Sequence, residues 1–156
     1  MPDNARADGP EATPAGDART EGLADENPNG PLVVALDASA LMAPVEADLR
    51  LFEELDRLLG GYEAVVPTAV LAELDGLQAG NGAEATAASV GADLAERAEA
   101  VETDESYADD ALVALAAAGR VDAVVTVDGP LANRVLEAGA PVIGLRGRNT
   151  LAITEP

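Results

Sequence analysis

With 156 residues the chain has room for one domain with a substantial core plus a tail, and with no Cys it has neither a disulfide framework nor a thiolate metal site. Its formal net charge is -20, and all nine basic residues are Arg, with no Lys and no His. The P-loop, Ser/His/Asp and Cys/His triads and typical zinc sites are thereby excluded, which leaves carboxylate, hydroxyl and guanidinium chemistry.

An acidic chain without Lys resembles proteins of salt-accumulating halophiles, whose surface carboxylates stay hydrated. In about 1 M salt the Debye length is roughly 3 Å, so negative charge does not exclude a nucleic-acid substrate. No apolar stretch approaches the roughly 18 to 20 residues of a membrane span, and Met1-Pro2-Asp3-Asn4 does not open a basic-then-apolar leader. Together with the missing cysteines, this predicts a cytoplasmic protein with no membrane partner.

Residues 1–30 are rich in Asp, Glu, Asn, Pro, Gly and Ala, with Leu23 almost alone as a large apolar residue. They are expected to form a disordered acidic tail ahead of a domain over 31–156. Leu32 to Leu36 is an unbroken apolar run and reads as a strand buried on both faces. It ends on Asp37, at the strand edge where α/β sheets bind ligands, so Asp37 is either a site residue or the cap of the next helix. Val45 to Leu59 carries Leu49, Phe52, Leu55, Leu58 and Leu59 at helical spacing and is closed by Gly60-Gly61. Glu63–Val66 is a second strand. Pro67-Thr68 opens a helix through Val70, Leu71, Leu74 and Leu77, ended by Gly80-Asn81-Gly82. A helix over Glu84–Ala98 and a brief strand over Ala100–Glu102 follow, and Ser106 is the expected N-cap of a helix over Tyr107–Ala118. Then come a strand over Val121–Val127, a helix over Leu131–Ala138, a strand over Pro141–Leu145 and an edge strand at Leu151-Ala152-Ile153. The alternation predicts a three-layer α/β sandwich with a mainly parallel sheet.

Each of the first four strands is followed by an acid at one structural level: Asp37, Glu73, Asp109-Asp110 and Asp128. Taken singly, Glu73 reads as a helix-surface carboxylate, Asp109 and Asp110 as partners of a helix dipole, and Asp128 before Gly129-Pro130 as a turn or cap residue. Taken together they predict a cluster at the carboxyl edge of the sheet. Converging carboxylates raise one another's pKa unless a cation neutralises them, and an all-oxygen donor set suits Mg2+ or Mn2+. Such a site favours phosphodiester hydrolysis.

The motifs Val34-Ala35-Leu36-Asp37-Ala38-Ser39-Ala40-Leu41, Val70-Leu71-Ala72-Glu73-Leu74, Tyr107-Ala108-Asp109-Asp110-Ala111-Leu112-Val113 and Val124-Val125-Thr126-Val127-Asp128 resemble, in order and spacing, those of the PIN-domain nucleases. The likeness extends from Leu32 to Ile153. The third motif, with Pro141 to Asn149, is most similar to archaeal relatives of the PIN endonucleases that process small-subunit ribosomal RNA, and the compact domain is also similar to VapC-type toxins. The resemblance implies a PIN-like sheet of order 3-2-1-4-5 and Mg2+- or Mn2+-dependent cleavage of single-stranded regions of RNA, with an rRNA precursor as substrate. It makes Asp37 and Asp128 direct metal ligands and has Glu73 and Asp110 complete the catalytic set. The Asp-Ala-Leu register favours Asp110, while Asp109 stays a candidate ligand. Ser39 and Thr126 match positions whose hydroxyls orient a ligand or water, whereas Ala38 and Val127 depart from the usual Thr and Asn. Arg146 and Arg148, the densest basic patch, are candidate phosphate contacts. With only Phe52, Tyr62 and Tyr107 as aromatics, base reading by stacking is poor.

Two other readings within the resemblance stay open: a toxin ribonuclease paired with an antitoxin, and an inert PIN-like module that binds RNA or protein, either of them monomeric or homodimeric. A receiver domain or aspartyl-phosphate phosphatase also places Asp at strand ends, but those families rely on a Lys that this chain lacks.

Overall fold

The computed structural model describes residues 30–156; the expected acidic tail lies outside the described residues up to position 29. In chain order the elements are β1 (Leu32–Leu36), α1 (Ala38–Glu46), α2 (Leu51–Leu59), β2 (Tyr62–Pro67), α3 (Thr68–Gln78), α4 (Gly82–Ala95), β3 (Glu99–Val101), α5 (Ala108–Ala117), β4 (Ala123–Val125), α6 (Gly129–Glu137), β5 (Val142–Arg146) and β6 (Thr150–Thr154).

The apolar run of β1 makes it the middle of the structure. Val34, Ala35 and Leu36 are fully buried, because helices cover both faces of the strand. The sheet order is β3-β2-β1-β4-β5-β6, parallel from β3 to β5, with β6 antiparallel to β5. The fold is thus the expected three-layer α/β sandwich, with the edge strand at Leu151 to Ile153 extended at both ends. Pairing of Leu36 with Val125 puts the ends of β1 and β4 side by side. The first residues beyond them, Asp37 and Thr126, are therefore neighbours.

Two tight contacts hold the helices and the outer strand. Gly91 in α4 lies against α1 so closely that a Cβ there would sit 3.1 Å from the Leu41 carbonyl oxygen and 3.2 Å from its carbon. An alanine would gain about 1 kcal/mol of helix propensity, but forcing a backbone apart costs typically about 1–3, so glycine is the better residue here. At the far edge, Leu151 of β6 gives both of its backbone groups to α2. Its N–H donates to Glu54 Oε1 at 2.9 Å, and its carbonyl accepts from Arg57 Nη2 at 2.8 Å. The same Arg57 nitrogen lies 2.9 Å from Glu54 Oε1, which closes a clamp over a strand edge that would otherwise present unpaired groups.

Several sequence expectations need correction. The helix expected over Val45–Leu59 is two helices, α1 and α2, broken at residues 47–50. Pro44 removes a hydrogen-bond donor inside α1, and Asp48 adopts a left-handed conformation with φ 55°. Leu49, counted as part of the helical stripe, is buried from the connection itself. Ser106 does not cap α5: Tyr107 holds the N-cap position, without a side-chain hydrogen bond. The strand expected over Val121–Val127 shrinks to Ala123–Val125, since the N–H groups of Val127 and Asp128 turn to the Ser39 and Thr126 hydroxyls.

Arg57 and the Leu151 N–H both hold the Glu54 carboxyl below the usual carboxylate range. A lowered folded value stabilises above the unfolded pKa and is lost as pH falls through the folded one. Glu54→Ala should therefore cost about 1–3 kcal/mol at neutral pH, the worth of hydrogen bonds to a charged group. Chemical denaturation across the acid range is expected to show the gap to wild type closing below the ordinary carboxylate pKa.

Candidate active site

Asp37 ends β1 and starts α1. Its carboxylate is only 4% exposed, and it is the one buried charged side chain among the described residues. Burying an ion without partners costs several kcal/mol, and three donors offset this. Oδ1 accepts from the Ala38 N–H at 2.8 Å, and Oδ2 accepts from the hydroxyls of Ser39 and Thr126, each at 2.7 Å. Each hydroxyl in turn accepts a backbone proton, Ser39 from the Val127 N–H and Thr126 from the Asp128 N–H, both at 3.0 Å. A hydroxyl has one proton, and here both point at Asp37, so the 3.1 Å approach of Ser39 Oγ to Thr126 Oγ1 is close packing of two donors to a shared acceptor.

Asp128 caps α6, with Oδ1 accepting from the Leu131 N–H at 3.2 Å. The capping reading of both Asp37 and Asp128 is thus realised, and it leaves acceptor capacity over. Asp37 Oδ1 has taken one hydrogen bond, and Asp128 Oδ2 none among the described residues.

Glu73, on the outward flank of α3, and Asp109, in the first turn of α5, complete a group of four. The Glu73 carboxyl is raised above its usual value, first by loss of water and then by the charges of Asp37, Asp109 and Asp128. Asp109 is raised likewise, by desolvation, by Asp37 and Asp128 and weakly by Asp110, against a lowering by Arg134. Asp110 is placed differently: it accepts from Arg134 Nη2 at 2.9 Å, in an ion pair with both side chains 46% exposed. Of the two adjacent acids, Asp109 faces the cluster and Asp110 faces α6. Register within Asp-Ala-Leu did not carry that information. Helix phase did, since Ala108, Ala111, Leu112 and Leu115 define the packed side of α5. Arg146 and Arg148 are exposed on the β5–β6 hairpin, and Arg146 reaches a cavity beside Asp128. The sequence reading missed Arg134 altogether.

The donor chemistry fits a hard divalent cation: carboxylate oxygens from four elements, with no imidazole or thiolate in the chain. Among the described residues no three carboxylates are close enough together to enclose an ion as they stand. That spacing is compatible with Mg2+, which keeps several waters and binds through one or two carboxylates plus substrate phosphate.

This arrangement, a strand-end Asp buried between two helix starts with further acids around it on a parallel sheet, defines a carboxylate-edged α/β domain. Residues 34–148 match the PIN-like domain family, and the chain belongs to it. PIN domains are generally nucleases. The structure of the PIN domain endonuclease Utp24 superposes with TM-score 0.66 at 24% identity, over 81% of this chain and 93% of that one. A domain of a functionally unknown protein from Methanocaldococcus jannaschii superposes with TM-score 0.55 at 17% identity, over 74% and 92%. At these identities the likeness concerns the fold. No protein of curated function matches the chain in sequence.

Thr126→Val keeps the shape but removes one donor to Asp37 and the acceptor of the Asp128 N–H. Thermal or urea unfolding should show a loss of about 2–3 kcal/mol, while Ser39→Ala, where water can enter, loses less. Glu73→Gln should have the opposite sign. A raised acid penalises the fold when ionised, so the variant gains stability above the raised pKa in metal-free buffer, and the gain vanishes below the ordinary carboxylate value.

Proposed function

We propose that the chain is a divalent-metal-dependent endoribonuclease that hydrolyses phosphodiester bonds in single-stranded RNA, with a ribosomal RNA precursor as its substrate. The observation that carries the reading is the electrostatic coupling of Asp37, Glu73, Asp109 and Asp128, four carboxylates from four chain segments at one edge of the sheet. Family membership supports the hydrolytic chemistry, and the motif likeness to rRNA-processing PIN endonucleases supports the choice of RNA.

In this reading Asp37 and Asp128 would hold the ion, since Asp37 Oδ1 and Asp128 Oδ2 both retain unused lone pairs. The ring of donors fixes the orientation of the Asp37 carboxylate, and the α6 cap does the same for Asp128. A bound Mg2+ or Mn2+ supplies the charge that neutralises the cluster, an activated water and stabilisation of the scissile phosphate. Glu73 and Asp109, which keep solvent contact, are the acids available to complete the ligand set or to take a proton from the attacking water. Asp110 contributes indirectly, because its pair with Arg134 holds a positive charge next to Asp109.

The test is incubation of the purified chain with single-stranded RNA in high potassium chloride with Mn2+, Mg2+ or EDTA. Cleavage with either ion and none in EDTA is expected. Asp37→Asn, Glu73→Gln, Asp109→Asn and Asp128→Asn should each lose about a hundredfold or more, by the scale of disturbed metal shells, while Asp110→Asn stays within a few-fold of wild type. Equal RNA decay with wild type and Asp37→Asn would sink the enzyme and leave a binding module.

A further inference from the structure

The cavity beside Asp128 has no role in the cluster. It occupies about 240 Å3 between α6 and the β5–β6 hairpin. Small side chains create it. Val142, Gly144 and Arg146 alternate onto one face of β5, where Gly144 is paired with Ala152 across the hairpin, and Ala132 of α6 lines the same space. Gly144 is held to glycine by its neighbour, because a Cβ there would stand 3.0 Å from the Thr126 carbonyl oxygen. The groove floor is therefore bare for a backbone reason, and one end of the groove opens at Asp128. Arg146, two residues beyond Gly144 on β5, lines the same carboxyl-edge mouth as Asp128, exposed and without a carboxylate partner among the described residues, whereas Arg57 and Arg134 are both in ion pairs.

We propose that this groove is a nucleotide subsite: it takes the base and ribose of the nucleotide adjoining the scissile phosphate against Val127, Ala132 and Ala152, while Arg146 binds that nucleotide's other phosphate. The proposal rests on the ribonuclease reading above and deepens it. Below the roughly 300–1,000 Å3 of sites for drug-sized ligands, the volume suits one nucleobase and its sugar. A base stacked in a duplex has no way into a groove between a helix and a hairpin, so the subsite selects unpaired nucleotides. Because its side walls are apolar, it discriminates little among the four bases.

The test uses the full chain and a fluorescein-labelled single-stranded RNA hexamer, with affinity measured in EDTA and in Ca2+ and KM measured in Mn2+. Ala152→Leu fills the groove and should weaken binding and raise KM about tenfold, the worth of roughly 60 Å2 of lost apolar contact, with kcat nearly unchanged. Arg146→Ala, at an exposed position that carries no fold risk, should weaken binding several-fold. The hexamer sequestered in a hairpin stem should compete poorly. Wild-type affinity and KM in both variants overturn the subsite even if cleavage is normal, and so does the absence of wild-type binding in both buffers. Groove-dependent binding without metal-dependent cleavage supports the subsite and removes the nuclease reading.

Discussion

The structure depends on keeping a charge where water barely reaches. Asp37 is held by donors from three places: the first N–H of α1, a hydroxyl in the first turn of that helix, and a hydroxyl just beyond β4. Two of the three are relays, in which a backbone N–H polarises a hydroxyl that in turn binds the carboxylate. Hydrogen bonds in series strengthen one another. The geometry of the β4–α6 turn, and so the position of Asp128, is thereby tied to the side chain of a residue 91 positions earlier in the chain. Asp37 thus organises the carboxyl edge of the sheet as well as capping α1.

Around this fixed charge stand acids that repel one another. The stability they remove is offset elsewhere in the fold. The opposite end of the sheet is stitched by Asp122, whose carboxylate accepts from the Val33 N–H at 2.8 Å while its own N–H donates to the Val33 carbonyl at 2.7 Å. The outer strand is clamped by Glu54 and Arg57, and α1 and α4 meet at glycine distance. Arg134 moderates the cluster directly, since it lowers Asp109 while bonded to Asp110. As an exposed ion pair it adds at most about 1 kcal/mol to the fold, so its main effect is on the charge of its neighbour. The repulsion is thus concentrated at one edge of the sheet and compensated at others.

Much of this was legible in the residues. Strand-ending acids, apolar runs and glycine stops fix the order of elements because they act locally, and the right-handed crossover rule does the rest. The order of the sheet itself came from family likeness. What escaped was decided by contacts across the chain. The break at residues 47–50 follows from Pro44 and from a left-handed Asp48, where no glycine announces the conformation. The shortened β4 follows from hydroxyls, one of them 88 residues away, that attract the N–H groups of its continuation. Choosing between Asp109 and Asp110 needed the rotation of α5 about its axis, which a matching Asp-Ala-Leu string does not state. The Glu54 clamp on Leu151 has no local signature at all.

The composition acquires a sharper meaning once the groove is considered. A chain of net charge -20 repels RNA in dilute buffer and needs dissolved salt to screen that repulsion. The same salt weakens every phosphate contact an arginine can make, so affinity cannot be built from charge as it is in basic nucleic-acid-binding proteins. Apolar contact persists under those conditions and is strengthened by salts excluded from the surface. On the proposed ribonuclease reading, contact through small apolar side chains next to the ionic centre therefore suits a chain this acidic better than further guanidinium groups would. Val127, Ala132 and Ala152 beside Asp128, with Arg146 alone at the rim, have that composition.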